Sequence, residues 1–166
     1  MARAHDSQRA KVYNWERAHV PGWQPARWCR IDDELSLEDC TALVIQIWKD
    51  YHPGQMPPRV TPGHMARRAT GCRERINLPC WARQMPVVLH ETAHSLQPMV
   101  QRKDAADDPM GGRLVSVAWH GPEFVRLYIE LLVRYHRPCR GQRVELLRSA
   151  RGGAPGAVNR RILKGR

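Results

Sequence analysis

Residues 90–94 read His-Glu-Thr-Ala-His, and this H-E-x-x-H pattern constrains the fold more than any other stretch of the chain. Four residues of α-helix turn through about 400°, so His90 and His94 leave one face a single turn apart, as two ligands of one metal ion must. Glu91 then stands beside the ion, placed to handle a proton. The flanks support a helix here. Pro86 suits a first turn, Pro98 stops the run, and Val88, Leu89, Thr92, Ala93 and Leu96 form a core-facing stripe. The polar trio is left on a different side.

A hydrolytic zinc site needs three protein ligands and one open position, so the downstream chain must supply a third donor. His120 is the best candidate. It lies in Trp119-His120-Gly121-Pro122-Glu123-Phe124, where Gly121-Pro122 signals the start of another helix and the preceding histidine can turn inward. Glu123 is the rival ligand, since some zinc enzymes take a carboxylate from a downstream helix. It ranks lower because a helix N-terminus stabilises a glutamate without any metal.

His90-Glu91-x-x-His94 followed by His120-Gly121-Pro122-Glu123-Phe124 resembles the SprT-like zinc metallopeptidases, whose third ligand is the histidine of that H-G-x-x-F/W segment. Three further segments, Asp6-Ser7-Gln8-Arg9-x-x-Val12-Tyr13-x-x-Glu16, Trp81-Ala82-Arg83 and Val88-Leu89-His90-Glu91-x-Ala93-His94, are similar to a small group of stand-alone metallohydrolases of actinobacteria and their phages. The resemblance implies a compact, zincin-like α+β domain holding Zn2+ through His90, His94 and His120, with a small β-sheet packed on the H-E-x-x-H helix. The protein or peptide substrate expected here comes from the mechanism of the ligand set, not from the resemblance. The chain departs from the larger family in two ways: it has no C-x-x-C pair for a zinc ribbon, and the acidic loop after His94 is long.

The mechanism expected of this ligand set is hydrolysis by a metal-activated water, with Glu91 as general base and then as proton donor to the leaving amine. Peptide-bond cleavage leads, because amides need both an electrophile and protonation of a poor leaving group. A different class of function also fits: a non-catalytic protein that keeps the zinc fold as a scaffold and binds nucleic acid through a basic tail.

That tail stands out in the charge distribution. The chain has 166 residues and a formal net charge of +11; from Arg134 to Arg166 ten Lys/Arg face one acid, Glu145, so this end carries +9 and the rest only +2. Such a stretch can hold phosphates by non-specific electrostatics or merely be solvated. No aromatic residue follows Tyr135, which argues against base stacking there. Accordingly the sequence divides into a catalytic domain over 1–138 and a basic, partly flexible tail over 139–166, where Val144, Leu146 and Leu147 are able to dock on the core. No stretch approaches the ~20 apolar residues of a membrane span and the N-terminus lacks a signal-peptide core, so a cytoplasmic location is expected. Five scattered cysteines, an odd number, argue against a disulfide framework.

Along the chain, helices are expected from Asp6 to about His19 and after Ser36, which forms a variant capping box with Asp39 and opens the stripe Leu43, Val44, Ile47, Trp48 and Tyr51. Short β pieces fall around Val60, Ala69–Cys72 and Arg75–Leu78. Gln101 to Arg113 reads as a surface loop, and Leu114 to Trp119 as a returning strand. Phe124, Val125, Leu127, Tyr128, Ile129, Leu131, Leu132 and Val133 are too broadly apolar for a half-exposed helix, so the helix before Pro138 should be buried. His52, His64 and His136 read as surface or capping histidines. Tyr128 and Arg126 have simpler explanations than oxyanion stabilisation.

Overall fold

The computed structural model describes residues 8–23, 35–64, 66–97, 99–101, 114–116 and 120–152. Asp6, Ser7, Pro98, most of the acidic loop, Trp119 and the end of the basic tail beyond 152 lie outside these residues. Over the described residues the architecture is mixed α+β, with five α-helices, a small three-stranded sheet and a separate two-stranded ribbon.

Helix α1 (Arg9–His19) puts Val12, Trp15, Glu16 and Val20 on one buried side. Helix α2 (Leu37–Tyr51) begins with the expected capping box: the Asp39 amide donates to Ser36 Oγ at 2.9 Å, and the Ser36 amide donates back to the Asp39 carboxylate at 3.3 Å. Two of the otherwise unsatisfied N-terminal amides are thereby paired. Val44, Ile47 and Trp48 of the anticipated stripe are fully buried, with Leu43 and Tyr51 at its margin.

Strands β1 (Arg59–Thr61), β2 (Thr70–Gly71) and β3 (Arg75–Asn77) form one sheet in the order β1-β3-β2. β1 runs parallel to β3, pairing Val60 with Ile76, while β2 and β3 are antiparallel, pairing Gly71 with Ile76. β2 therefore forms an edge, and that edge lies against helix α3 (Met85–Leu96), which carries the H-E-x-x-H motif. The ribbon that follows pairs β4 (Met99–Gln101) with β5 (Leu114–Ser116). β5 was anticipated; its partner immediately after α3 was not, because three residues are too few to show an alternating pattern.

Helix α4 (Pro122–Tyr135) starts with Gly121 as N-cap and Pro122 in its first turn, and buries Phe124, Val125, Tyr128, Ile129, Leu131 and Leu132. A 3₁₀ turn (Arg137–Cys139) then leads into α5 (Arg143–Gly152). Residues 139–152, grouped with the tail by their charge, thus contribute to the main core: Cys139, Leu146, Leu147 and Ala150 are buried in it, and Trp15 Nε1 donates to Ser149 Oγ at 2.9 Å. Val144, by contrast, is exposed. Each fully buried leucine or isoleucine contributes on the order of 1.5–3 kcal/mol, so the small charged helix is held by its apolar side.

Two cores meet at α3. One, built from α1, α4, α5 and Ile47 and Trp48 of α2, takes Leu89, Ala93 and Leu96; the other, built from Cys40 and Val44 of α2 and the sheet, takes Val87 and Val88. Covered from both sides, α3 buries His90 and Glu91 as well as its apolar stripe. The polar trio, expected on a different side from the apolar stripe, is therefore largely covered as well, and of the three only His94 is half-buried.

Candidate metal centre

His90 and His94 project from successive turns of α3, and His120 is held immediately before the Gly121-Pro122 start of α4. The three side chains converge. His90 Nε2 lies 3.2 Å from His94 Nε2 and 3.4 Å from His120 Nε2, and the ligand atoms of the three residues all fall within 4.8 Å of one another. Nitrogens bound tetrahedrally to one zinc at about 2.0–2.1 Å sit about 3.3 Å apart, so these separations are those of a chelate. The cluster can hold a metal ion.

Glu123 stays outside it. Its carboxylate is 52% exposed in the first turn of α4 and pairs with Arg126 at 3.5 Å. Arg126 also meets Glu130 at 3.0 Å on that surface, away from the histidines. His52 and His136 cap α2 and α4, His136 Nε2 contacting the Pro21 carbonyl at 2.8 Å, and His64 is exposed. None of them joins the cluster.

Behind His90 stands Glu16 of α1, 0% exposed, with Oε1 2.5 Å from His90 Nδ1. With the proton on Nδ1 and Glu16 ionised, this contact leaves the Nε2 lone pair facing the other two histidines, the tautomer that a carboxylate–histidine–metal arrangement requires. Burial pushes the Glu16 carboxyl well above the usual carboxylate range and, together with neighbouring His120, holds His90 well below its usual value. Both groups are therefore driven toward neutrality when no cation is near. The Tyr128 hydroxyl beside Glu16 opposes that rise in part, but the second carboxylate oxygen, Oε2, makes no hydrogen bond of full geometry in its buried position. A divalent ion on His90 would supply the charge that makes an ionised Glu16 tolerable there, so the residues present fit a metal.

The surroundings are aromatic. Phe124, the single phenylalanine of the chain, stacks on His94 with ring centroids 4.3 Å apart and meets His90 and His120 edge-on at 4.9 and 5.0 Å. The four-residue spacing from His120 to Phe124 puts this ring beneath all three imidazoles and limits their rotation. Tyr128 is buried alongside, its hydroxyl donating to the Pro86 carbonyl at 3.2 Å, which ties α4 to the start of α3 and leaves that hydroxyl out of the cleft. Tyr13 covers the other side, 5.6 Å from His90 and 5.7 Å from His120.

Glu91 lines a cleft with His94, His120, Tyr13 and the β2 edge. Its carboxyl is pushed up to about 8 by burial and by repulsion from Glu16, opposed by the Gly71 amide and Arg9. A proton-transfer group poised near neutrality is suited to acid–base work, and a bound cation would draw the value down. The backbone of β2 approaches so closely that a Cβ on Gly71 would fall 2.0 Å from the Glu91 carbonyl oxygen. Gly71→Ala should consequently push the edge strand off α3 and cost about 3 kcal/mol, since backbone atoms on both sides cannot yield as a side chain would. Denaturant unfolding checks this; an unchanged midpoint would mean that β2 does not rest on the helix.

Glu16, Tyr13 and Phe124 stand in the segments that carry the resemblance, but motif reading gave them no place at the histidine cluster. One signal was available for Glu16, which falls on the same helical stripe as Val12, Trp15 and Val20, where a carboxylate needs a partner. Among the described residues no helix is long and apolar enough to cross a membrane. No family model, curated protein or solved structure matches this chain.

Proposed function

We propose that this chain is a zinc-dependent hydrolase of the zincin-like, SprT-like type, cleaving peptide bonds. The observation that carries the reading is the buried three-histidine cluster with two different glutamates around it, one tied to a ligand and one turned to an open cleft. A structural zinc site needs four closed ligands and has no use for a carboxylate such as Glu91; a catalytic one needs three ligands and an open side.

His90, His94 and His120 would hold the ion, and three imidazoles are a donor set suited to zinc. When bound, zinc supplies a Lewis acid that makes water acidic near neutral pH. Glu91 accepts a proton from the attacking water and returns it to the departing amine, so one residue serves as base and then acid. Glu16 keeps His90 in the tautomer that ligation requires. The β2 edge and the walls formed by Tyr13 and Arg68 confine the substrate beside Glu91.

Incubating zinc-loaded and chelator-treated protein with an unbiased peptide library tests the reading. Cleavage confined to the zinc-loaded sample is expected. Equal cleavage in both samples would contradict the zinc dependence, and none with a full complement of zinc would contradict the peptidase activity.

A further inference from the structure

The cleft beside Glu91 continues into a cavity of about 280 Å³ on the side away from His120. Arg9, Arg17, Arg67 and Arg68 line it, together with Trp23 and Trp81. Among the described residues Glu91 is the only acid that lines it. Among the described residues no acidic side chain pairs with Arg67 or Arg68, although other surface arginines, such as Arg126 and Arg134, do have carboxylate partners. Arg9 packs over the Tyr13 ring with its guanidinium carbon 5.2 Å from the centroid, so one cation is positioned at the junction between the cavity and the metal centre.

Arg67 and Arg68, whose guanidinium groups pair with no acid among the described residues, stand in a concave wall with aromatic sides, and guanidinium groups so placed recognise planar anions by paired charge-assisted hydrogen bonds. We propose that this cavity is a specificity subsite for a substrate carboxylate next to the scissile bond. The inference rests on the peptidase reading above. A pocket of this size, closed on one side by Trp23 and Trp81, suits a single side chain or chain end better than an extended polymer. Two sources carry the same chemistry: an internal Asp or Glu side chain, and the free C-terminal carboxylate of a short peptide.

The test uses fluorogenic peptides that differ only in Glu, Gln or Lys flanking the cleaved bond, each with a free or an amidated C-terminus, against zinc-loaded wild type, R67Q/R68Q and R67E/R68E. Wild type should favour Glu over Gln by about tenfold or more in kcat/KM, the contribution of one or two charge-assisted hydrogen bonds. The ratio should approach one in R67Q/R68Q and turn toward Lys in R67E/R68E. If only the free C-terminus matters, the carboxylate bound is the chain end. Equal cleavage of Glu and Gln peptides with either terminus overturns the subsite while leaving the peptidase intact. Should no peptide be cleaved, binding of the same peptides to zinc-loaded Glu91→Gln, followed by tryptophan fluorescence, decides. A Glu preference that disappears when R67Q/R68Q is added preserves the carboxylate site without the peptidase, and equal binding removes it. A short single-stranded oligonucleotide that displaces the Glu peptide with higher affinity would make the arginines a phosphate site and overturn the proposal.

Discussion

Replacing Glu91 with Gln should abolish hydrolysis while leaving the metal in place. The side chain is nearly isosteric and lies outside the three-histidine cluster, so neither ligation nor packing is altered. Proton transfer is lost, which costs on the order of 100-fold or more in rate. Folding should not suffer, because the carboxyl is only 6% exposed and raised to about 8, and exchanging it for a neutral amide removes a group that its surroundings disfavour as an anion. Turnover on any peptide identified from the library, with zinc content measured in the same samples, gives the answer. Equal activity of variant and wild type would take the general base away from Glu91.

The second large effect concerns Glu16. Loss of a carboxylate that orients a metal-ligating histidine typically weakens metal binding by about 10–100-fold. Glu16→Ala should fall at the upper end of that range and Glu16→Gln at the lower, since the amide oxygen can still accept from His90 Nδ1. Metal-free Glu16→Gln, however, should be at least as stable as metal-free wild type, because the native carboxylate is wholly buried with one oxygen making no hydrogen bond of full geometry. Competition with a chelator of known affinity measures the first quantity and urea unfolding the second. Unchanged zinc affinity in Glu16→Ala would show that His90 is oriented by other contacts, such as Phe124.

The contrast between these two glutamates explains what sequence could and could not reveal. Glu91 was legible because it belongs to a five-residue pattern on one helix, where spacing alone fixes geometry. His120 followed from the local start signal of α4, and the capping box at Ser36 and the apolar run of α4 were equally local. Glu16 meets His90 across 74 residues, and nothing in helix periodicity states which distant element will cover a histidine. The same holds for the burial of α3, which depends on α2, α4 and β2 arriving together. It holds too for the arginines of the cleft, which come from α1 and from the segment before β2. Charge counting pointed instead to the C-terminal end, where ten basic residues dominate the sequence; yet part of that segment folds as α5 with its leucines in the core. Net charge reports composition, whereas a cleft reports what the fold brings together.

The central claim is that His90, His94 and His120 together hold one catalytic metal ion. Anomalous scattering at the zinc edge from crystals of the zinc-loaded protein tests it most directly. One peak per chain is expected, about 2.0–2.1 Å from the Nε2 atoms of all three histidines, with Glu91 and Glu123 outside the ligand sphere. An ordered crystal in which zinc sits elsewhere, or in which His120 turns away from a metal bound by His90 and His94, would contradict it.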